Sequence, residues 1–144
     1  MPTLTDPLGW FTLEFPEGWS TTTEDCVTTL QSPRGIGVLY VSGGRHSGGP
    51  QAGFGGASFL LRFLAHIGIT AEADDVQDGQ GVGCRMYSYR RCDEGRYWRY
   101  CSITDDETAL LVSYTCATEQ SEEEAEAVEE MVRSVRLYGS ASRS

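Results

Sequence analysis

The chain has 144 residues, with 21 acidic and 11 basic side chains and a formal net charge of −10. This length suits a single domain that buries a core without the help of a metal or a disulfide. The strong negative charge repels phosphate backbones and anionic lipid surfaces, so it argues against nucleic acid or a membrane as the partner.

The first half of the chain predicts strands followed by a glycine-rich loop. Residues 10–15 alternate apolar and polar side chains, as a strand with one buried face does. Residues 26–31 and 35–42 are rich in β-branched and aromatic types and are separated by a Ser-Pro-Arg-Gly turn, so they predict a hairpin. Residues 43–56 contain seven glycines, which predicts a flexible loop.

The central part predicts one helix and three strands. Apolar residues cover most of the circumference of a helix over residues 57–67, and Gly68 stands where a left-handed C-cap is expected. Strands are predicted over residues 82–92, 96–103 and 108–116, because short turns at residues 93–95 and 105–107 separate these runs, and Gly95 stands where a hairpin bulge favours positive φ.

An acidic amphipathic helix is predicted over residues 121–136, opened by a Ser-Glu-Glu-Glu capping box. The element order is then three strands, a helix, three strands and a helix. Short connections between strands favour antiparallel pairing. The predicted class is α+β, an α/β/α sandwich with an antiparallel sheet of about six strands flanked by two main helices. One domain is expected over residues 1–144, with a core over residues 9–138 and a disordered tail over residues 139–144.

Two short motifs resemble a known family. Residues 11–19 read Phe-x-Leu-x-Phe-Pro-x-Gly-Trp, and residues 132–137 read Val-Arg-Ser-Val-Arg-Leu after a central meander. This pattern is similar to that of the Mog/PsbP-like superfamily, which includes PsbP-like and DcrB-type domains, and the resemblance covers residues 10–137. It implies an α/β/α sandwich without shared catalytic residues, acting mainly by binding other proteins.

Residues 85–101 interleave five arginines with tyrosines and a tryptophan. Such a sheet face can hold an acidic peptide or single-stranded nucleic acid, although the charge of the chain opposes nucleic acid. The same side chains can instead stack on one another as cross-strand pairs over a half-buried surface. The candidate partner-binding residues of this segment are Arg90, Arg91, Tyr97, Trp98 and Arg99.

The glycine-rich loop adds His46 and Phe54 to the candidate partner-binding residues. His46 also carries the alternative function, a small enzyme or ligand-binding protein that uses this histidine and the loop. The loop lacks the Gly-Lys-Ser/Thr ending of a phosphate-binding loop. A calcium loop that begins at Asp74 would need oxygen ligands at its third and twelfth positions, which are Val76 and Arg85. No catalytic residue, metal or cofactor is therefore predicted.

The cysteines and the start of the chain indicate the compartment. Five cysteines give an odd count without a Cys-x-x-Cys pair, so free and mostly buried thiols are expected. No signal-peptide pattern and no long apolar run are present, which predicts a cytoplasmic protein. The sequence thus predicts a non-enzymatic protein-binding module, an intracellular bacterial adaptor, chaperone or immunity-type protein. We expect a monomer or homodimer whose partner is another protein, and neither nucleic acid nor a membrane.

Overall fold

The structure is a computed structural model that describes residues 1–45, 56–81 and 83–138. The strands in these ranges are β1 Thr3–Thr5, β2 Phe11–Glu14, β3 Ser20–Glu24, β4 Val27–Gln31, β5 Val38–Arg45, β6 Gln77–Gln80, β7 Arg85–Asp93, β8 Arg96–Thr104, β9 Thr108–Ala117 and β10 Arg136–Leu137. The α-helices are α1 Gly56–His66 and α2 Ala125–Arg133, and single 3-10 turns cover Ala73–Asp75 and Thr118–Gln120.

The strands form two antiparallel sheets. Seven strands make the large sheet, in the order β3, β4, β5, β9, β8, β7 and β6. The small sheet has β2 at its centre, between β1 and β10. The hairpin between β7 and β8 turns at Glu94 and Gly95, both of which have positive φ, as predicted for a tight hairpin loop.

The two helices lie on opposite faces of the large sheet. On one face, α1 packs against β7 and β8, where Leu60 and Leu64 are fully buried beside Tyr100. On the other face, α2 and the small sheet bury Leu13 and Met131 in the main core together with alternate residues of the large sheet. The alternation of strand side chains thus supplies two apolar clusters, and the α+β class is confirmed.

The predicted number and order of strands are wrong. Ten strands are present in the described residues, with five before α1, four between the helices and one after α2, where about six were expected. The strand β3 is polar and exposed along its whole length, and β6 is a polar edge strand. Neither has an alternating apolar pattern, because hydrogen bonding to β4 or β7 forms these edges without burying a face.

Both ends of the predicted glycine-rich loop belong to regular elements. Gly43 and Gly44 belong to β5 and pair with Leu110 and Ala109 of β9. A Cβ atom on Gly43 would lie 2.5 Å from Cδ2 of Leu110, so close packing on the neighbouring strand favours glycine at that position. Gly56 already belongs to α1, and residues 46–55 lie outside the described ranges.

The last helix is shorter than predicted, and the expected capping box is absent. The helix begins at Ala125 with Glu124 as N-cap, after a 3-10 turn and a further turn through residues 121–123. Glu124 is buried, and its carboxylate accepts a hydrogen bond from Tyr114 in the sheet. Arg136, expected at the end of the helix, instead lies in β10 opposite Thr12. Contacts with the two sheets therefore determine where the helix begins and where it ends.

Candidate functional site

The register of β7 and β8 divides the predicted binding residues between the two faces of the large sheet. Arg90 is directly opposite Arg99, and Arg91 is directly opposite Trp98. Because successive residues of a strand point to opposite faces, Arg90, Tyr97 and Arg99 lie on the α2 side, whereas Arg91 and Trp98 lie on the α1 side. The expectation of one continuous aromatic and arginine face is therefore wrong.

The residues on the α1 side mainly pack against one another. Trp98 stacks parallel to Tyr100 with the ring centroids 5.7 Å apart, and Tyr100 meets Phe63 of α1 at 5.9 Å. Arg91 forms an ion pair of 3.3 Å with Asp93 on its own strand. Stacking and a local ion pair account for these side chains as parts of the fold.

On the α2 side, the sheet and the helix enclose a cleft that we name the Arg90–Arg99 cleft. Its volume is ≈ 320 Å³, and it is lined by Arg90, Tyr97, Arg99, Tyr114, Ser121, Glu122, Ala125, Val128 and Glu129. A second cavity of ≈ 220 Å³ adjoins it toward β6. The two cavities share Arg90, Arg99 and Glu129, so these three side chains stand between them.

Arg99 is a buried cation held by a carboxylate of α2. The residue is 6% exposed, and its Nη2 lies 3.0 Å from Oε2 of Glu129. Oε1 of Glu129 also lies 3.5 Å from Nε of Arg133, one helical turn further along α2. Burial favours the neutral form of Glu129, but the hydrogen bond and charge of Arg99 outweigh it and lower the pKa of this carboxyl. Both members of the pair are therefore charged at neutral pH.

One donor of Arg99 remains unused. Nε of Arg99 is buried and has no hydrogen-bond partner among the described residues. A buried donor without a partner costs about 1–3 kcal/mol of stability. This buried donor is left for an acceptor that the described residues do not supply.

Arg90 and Tyr97 line the cleft beside Arg99. Arg90 is exposed and forms no ion pair with any residue in the described ranges. Burial raises the pKa of Tyr97, and the charges of Arg90 and Arg99 offset only part of this increase. The hydroxyl of Tyr97 is therefore protonated at neutral pH and able to donate a hydrogen bond. The cleft presents cationic and neutral donors to any group that enters it.

Sequence reasoning found the arginines of this site but missed its acidic members. Glu129 was not among the predicted site residues, although it directly follows Val128, which is buried in the core. Its position beside the apolar stripe of the helix is the feature of the sequence that pointed to a place at the edge of the core. His46 and Phe54 lie outside the described residues, so the alternative based on His46 stays a prediction. In the parts of the chain that the structure describes, no three metal-ligating side chains come together.

No family model and no curated protein sequence matches the chain. Among solved structures, it is similar to cyanobacterial PsbP (CyanoP) from Synechocystis sp. PCC 6803, with a TM-score of 0.67 and 15% sequence identity, over 95% of this chain and 92% of that one. It is also similar to a protein from Bacteroides thetaiotaomicron, with a TM-score of 0.66 and 14% identity over 96% of this chain. The chain spans 49% of that Bacteroides protein, about half its length.

These likenesses confirm the resemblance as one of fold: the chain has a PsbP-like fold. At such low identity they concern the architecture alone and carry no activity, ligand or partner across. No helix in the described ranges combines the length and the apolar character needed to span a membrane.

Proposed function

We propose that this protein is a non-enzymatic protein-binding module whose docking surface is the Arg90–Arg99 cleft. The observation that supports this most is the direct opposition of two arginines across β7 and β8 with only one carboxylate, Glu129, paired to them among the described residues. Like charges directly opposite each other on neighbouring strands are destabilising, so such a pair is a poor choice for stability.

The composition and setting of the cleft favour a protein partner. Arginine and tyrosine are enriched in the buried parts of protein interfaces, where they contribute large contact areas and several hydrogen bonds. Here Tyr97 and Arg99 lie on β8, which pairs with a neighbouring strand on each side and so holds both residues in place before binding. A preformed site of this kind avoids part of the ordering cost of association.

Within this class we favour an intracellular adaptor, chaperone or immunity-type protein over an enzyme. Among the described residues, charged and aromatic side chains line the cleft, and His66 is not one of them. Of the two glutamates that line the cleft, Glu129 is paired with arginines and has a lowered pKa, which makes it a weak general base. This arrangement suits recognition better than proton transfer.

The test is site-specific photo-crosslinking in lysate of the native host. A photoreactive amino acid replaces Glu122, an exposed residue that lines the cleft, and in a second protein it replaces Arg62 on the exposed side of α1. We expect one protein to be captured from position 122 and not from position 62. The capture should be lost in Arg90→Glu and kept in Arg91→Glu, which changes the charge equally on the opposite face of the sheet.

Far-ultraviolet circular dichroism of both arginine variants would establish that the fold is intact. Equal capture from positions 122 and 62 would contradict the proposal. Capture that is insensitive to Arg90→Glu would contradict it as well.

A further inference from the structure

The Arg90–Arg99 cleft has an unbalanced set of charges on its sheet side. Arg90 and Arg99 are direct cross-strand neighbours, and in an antiparallel pair the Cβ atoms of such residues lie about 4.5–5.5 Å apart. Glu129 is shared between Arg99 and Arg133, so one carboxylate already serves two guanidinium groups. No carboxylate in the described residues lies within ion-pair distance of Arg90.

We infer that the cleft binds a carboxylate group, supplied by an Asp or Glu side chain of the partner, which completes the Arg90–Arg99 pair. This inference rests on the proposed function, since it names the chemistry recognised at the same docking surface. The bound carboxylate accepts hydrogen bonds from the guanidinium of Arg90 and the hydroxyl of Tyr97. Arg99 contributes its buried positive charge from the adjacent strand.

The surroundings of Arg99 strengthen the binding of an anion at this position. Arg99 is almost completely buried, so its charge is screened by solvent far less than that of a surface arginine. Its buried Nε has no partner in the described part of the chain, which leaves donor capacity beyond the contact with Glu129. Charge-assisted hydrogen bonds between arginine and carboxylate are about twice as strong as neutral ones.

The negative charge at the rim of the cleft limits which residues can flank the acidic residue of the partner. Glu122 lines the cleft and is exposed, and the chain as a whole carries a net charge of −10. A strongly acidic segment would be repelled before it reached Arg90. The partner segment is therefore one acidic residue flanked by neutral or basic residues, and the cleft volume of ≈ 320 Å³ has room for such a side chain.

The experiment uses two small probes that differ only in charge. N-acetylglutamate methylamide and N-acetylglutamine methylamide are titrated separately into the full chain at low salt, while the arginine Nε–H signals are followed by NMR. We expect the glutamate probe to shift the signal of Arg90 and the glutamine probe to leave it unchanged. Arg90→Gln should weaken binding of the glutamate probe about tenfold. Arg91→Gln on the opposite face is the matched control and should retain it within about twofold.

A second variant tests the role of Arg99 independently. Glu129→Gln removes the charge that neutralises Arg99, so it should tighten binding of the glutamate probe by about threefold or more. Equal binding of the two probes, an equal effect of Arg90→Gln and Arg91→Gln, or weaker binding in Glu129→Gln would each overturn the inference. If photo-crosslinking at position 122 still depended on Arg90 in that case, the docking surface would stand and only the carboxylate assignment would fall.

Discussion

The hydroxyl of Tyr114 donates a hydrogen bond of 2.6 Å to Oε1 of Glu124, so the centre of the large sheet is tied to the N-cap of α2. Both residues are buried. Burial raises the pKa of Tyr114, and the neighbouring carboxylate raises it further, so the hydroxyl stays protonated as a donor. Because α2 forms one wall of the Arg90–Arg99 cleft, this bond holds the wall against the sheet.

Tyr114→Phe should lower the free energy of unfolding by about 1–3 kcal/mol, because it leaves the buried Glu124 carboxylate without its donor. The other oxygen of Glu124 has no partner in the described part of the chain. Urea unfolding followed by fluorescence measures the loss. Tyr40→Phe is the control, since Tyr40 lies on β5 and is 37% exposed. Losses of equal size in the two variants would show that the hydrogen bond to Glu124 contributes no more to the free energy of unfolding than an exposed tyrosine hydroxyl does.

Gly37→Ala should disturb the same contact from the other side. A Cβ atom at position 37 would overlap the hydroxyl oxygen of Tyr114, so the ring has to move away. We expect a loss of about 1–3 kcal/mol in the free energy of unfolding, measured with urea. Gly44→Ala adds the same methyl group where no atom lies within 4 Å, and its effect should stay within about 0.5 kcal/mol. The prediction fails if Gly37→Ala is as well tolerated as Gly44→Ala.

Glu129 should contribute to stability in a way that depends on pH. Burial alone would raise the pKa of this carboxyl, but Arg99 lowers it below the unfolded value of about 4.3. The folded state therefore releases this proton more readily than the unfolded state, and the resulting stability is present above pH 4.3 or so and lost as pH falls further. Glu129→Gln should flatten the fall in stability between about pH 5 and 3.

Urea midpoints at several pH values between 7 and 3 measure this effect. Glu130→Gln is the matched control, because Glu130 is the next residue of α2 and is exposed. It should keep the wild-type dependence on pH. Parallel curves for the wild type and Glu129→Gln would show that Arg99 does not perturb this carboxyl in solution.

Thiol reactivity should separate the five cysteines into two groups. Cys26 and Cys92 are exposed, whereas Cys84, Cys101 and Cys116 are buried, and burial raises the pKa of all three buried thiols. Since the thiolate is the reactive form, we expect Ellman's reagent to modify two thiols rapidly in the folded protein and all five in urea. Rapid reaction of a third thiol in the folded state would contradict the arrangement of the core.

Local sequence patterns predicted the central hairpins closely. The strand predicted over residues 96–103 matches β8, Arg96–Thr104, and the helix predicted over residues 57–67 matches α1, Gly56–His66. These elements carry their own signal, because one face of each is apolar and buried. The polar strand β3 lacks this signal, since it exists through hydrogen bonds to β4.

The residue types of the proposed docking surface were predictable from the sequence, but their arrangement was not. The unusual density of arginine and aromatic residues singled out the hairpin that lines the Arg90–Arg99 cleft, but the strand register decides which face of the sheet each side chain occupies. A shift of one residue exchanges the two faces, so Arg90 and Arg91 have opposite surroundings although they are neighbours in sequence.

The sequence by itself determined the α+β class, the central hairpins and the helix that follows the glycine-rich loop, because these depend on periodicity and turn residues within short segments. Only the tertiary structure decided that Arg99 is buried and that Glu129, thirty positions away in the chain, neutralises it. The sequence specifies which side chains can carry a charge. Its solvation and its counter-charge depend on which distant elements pack together, and these decide what the cleft can bind.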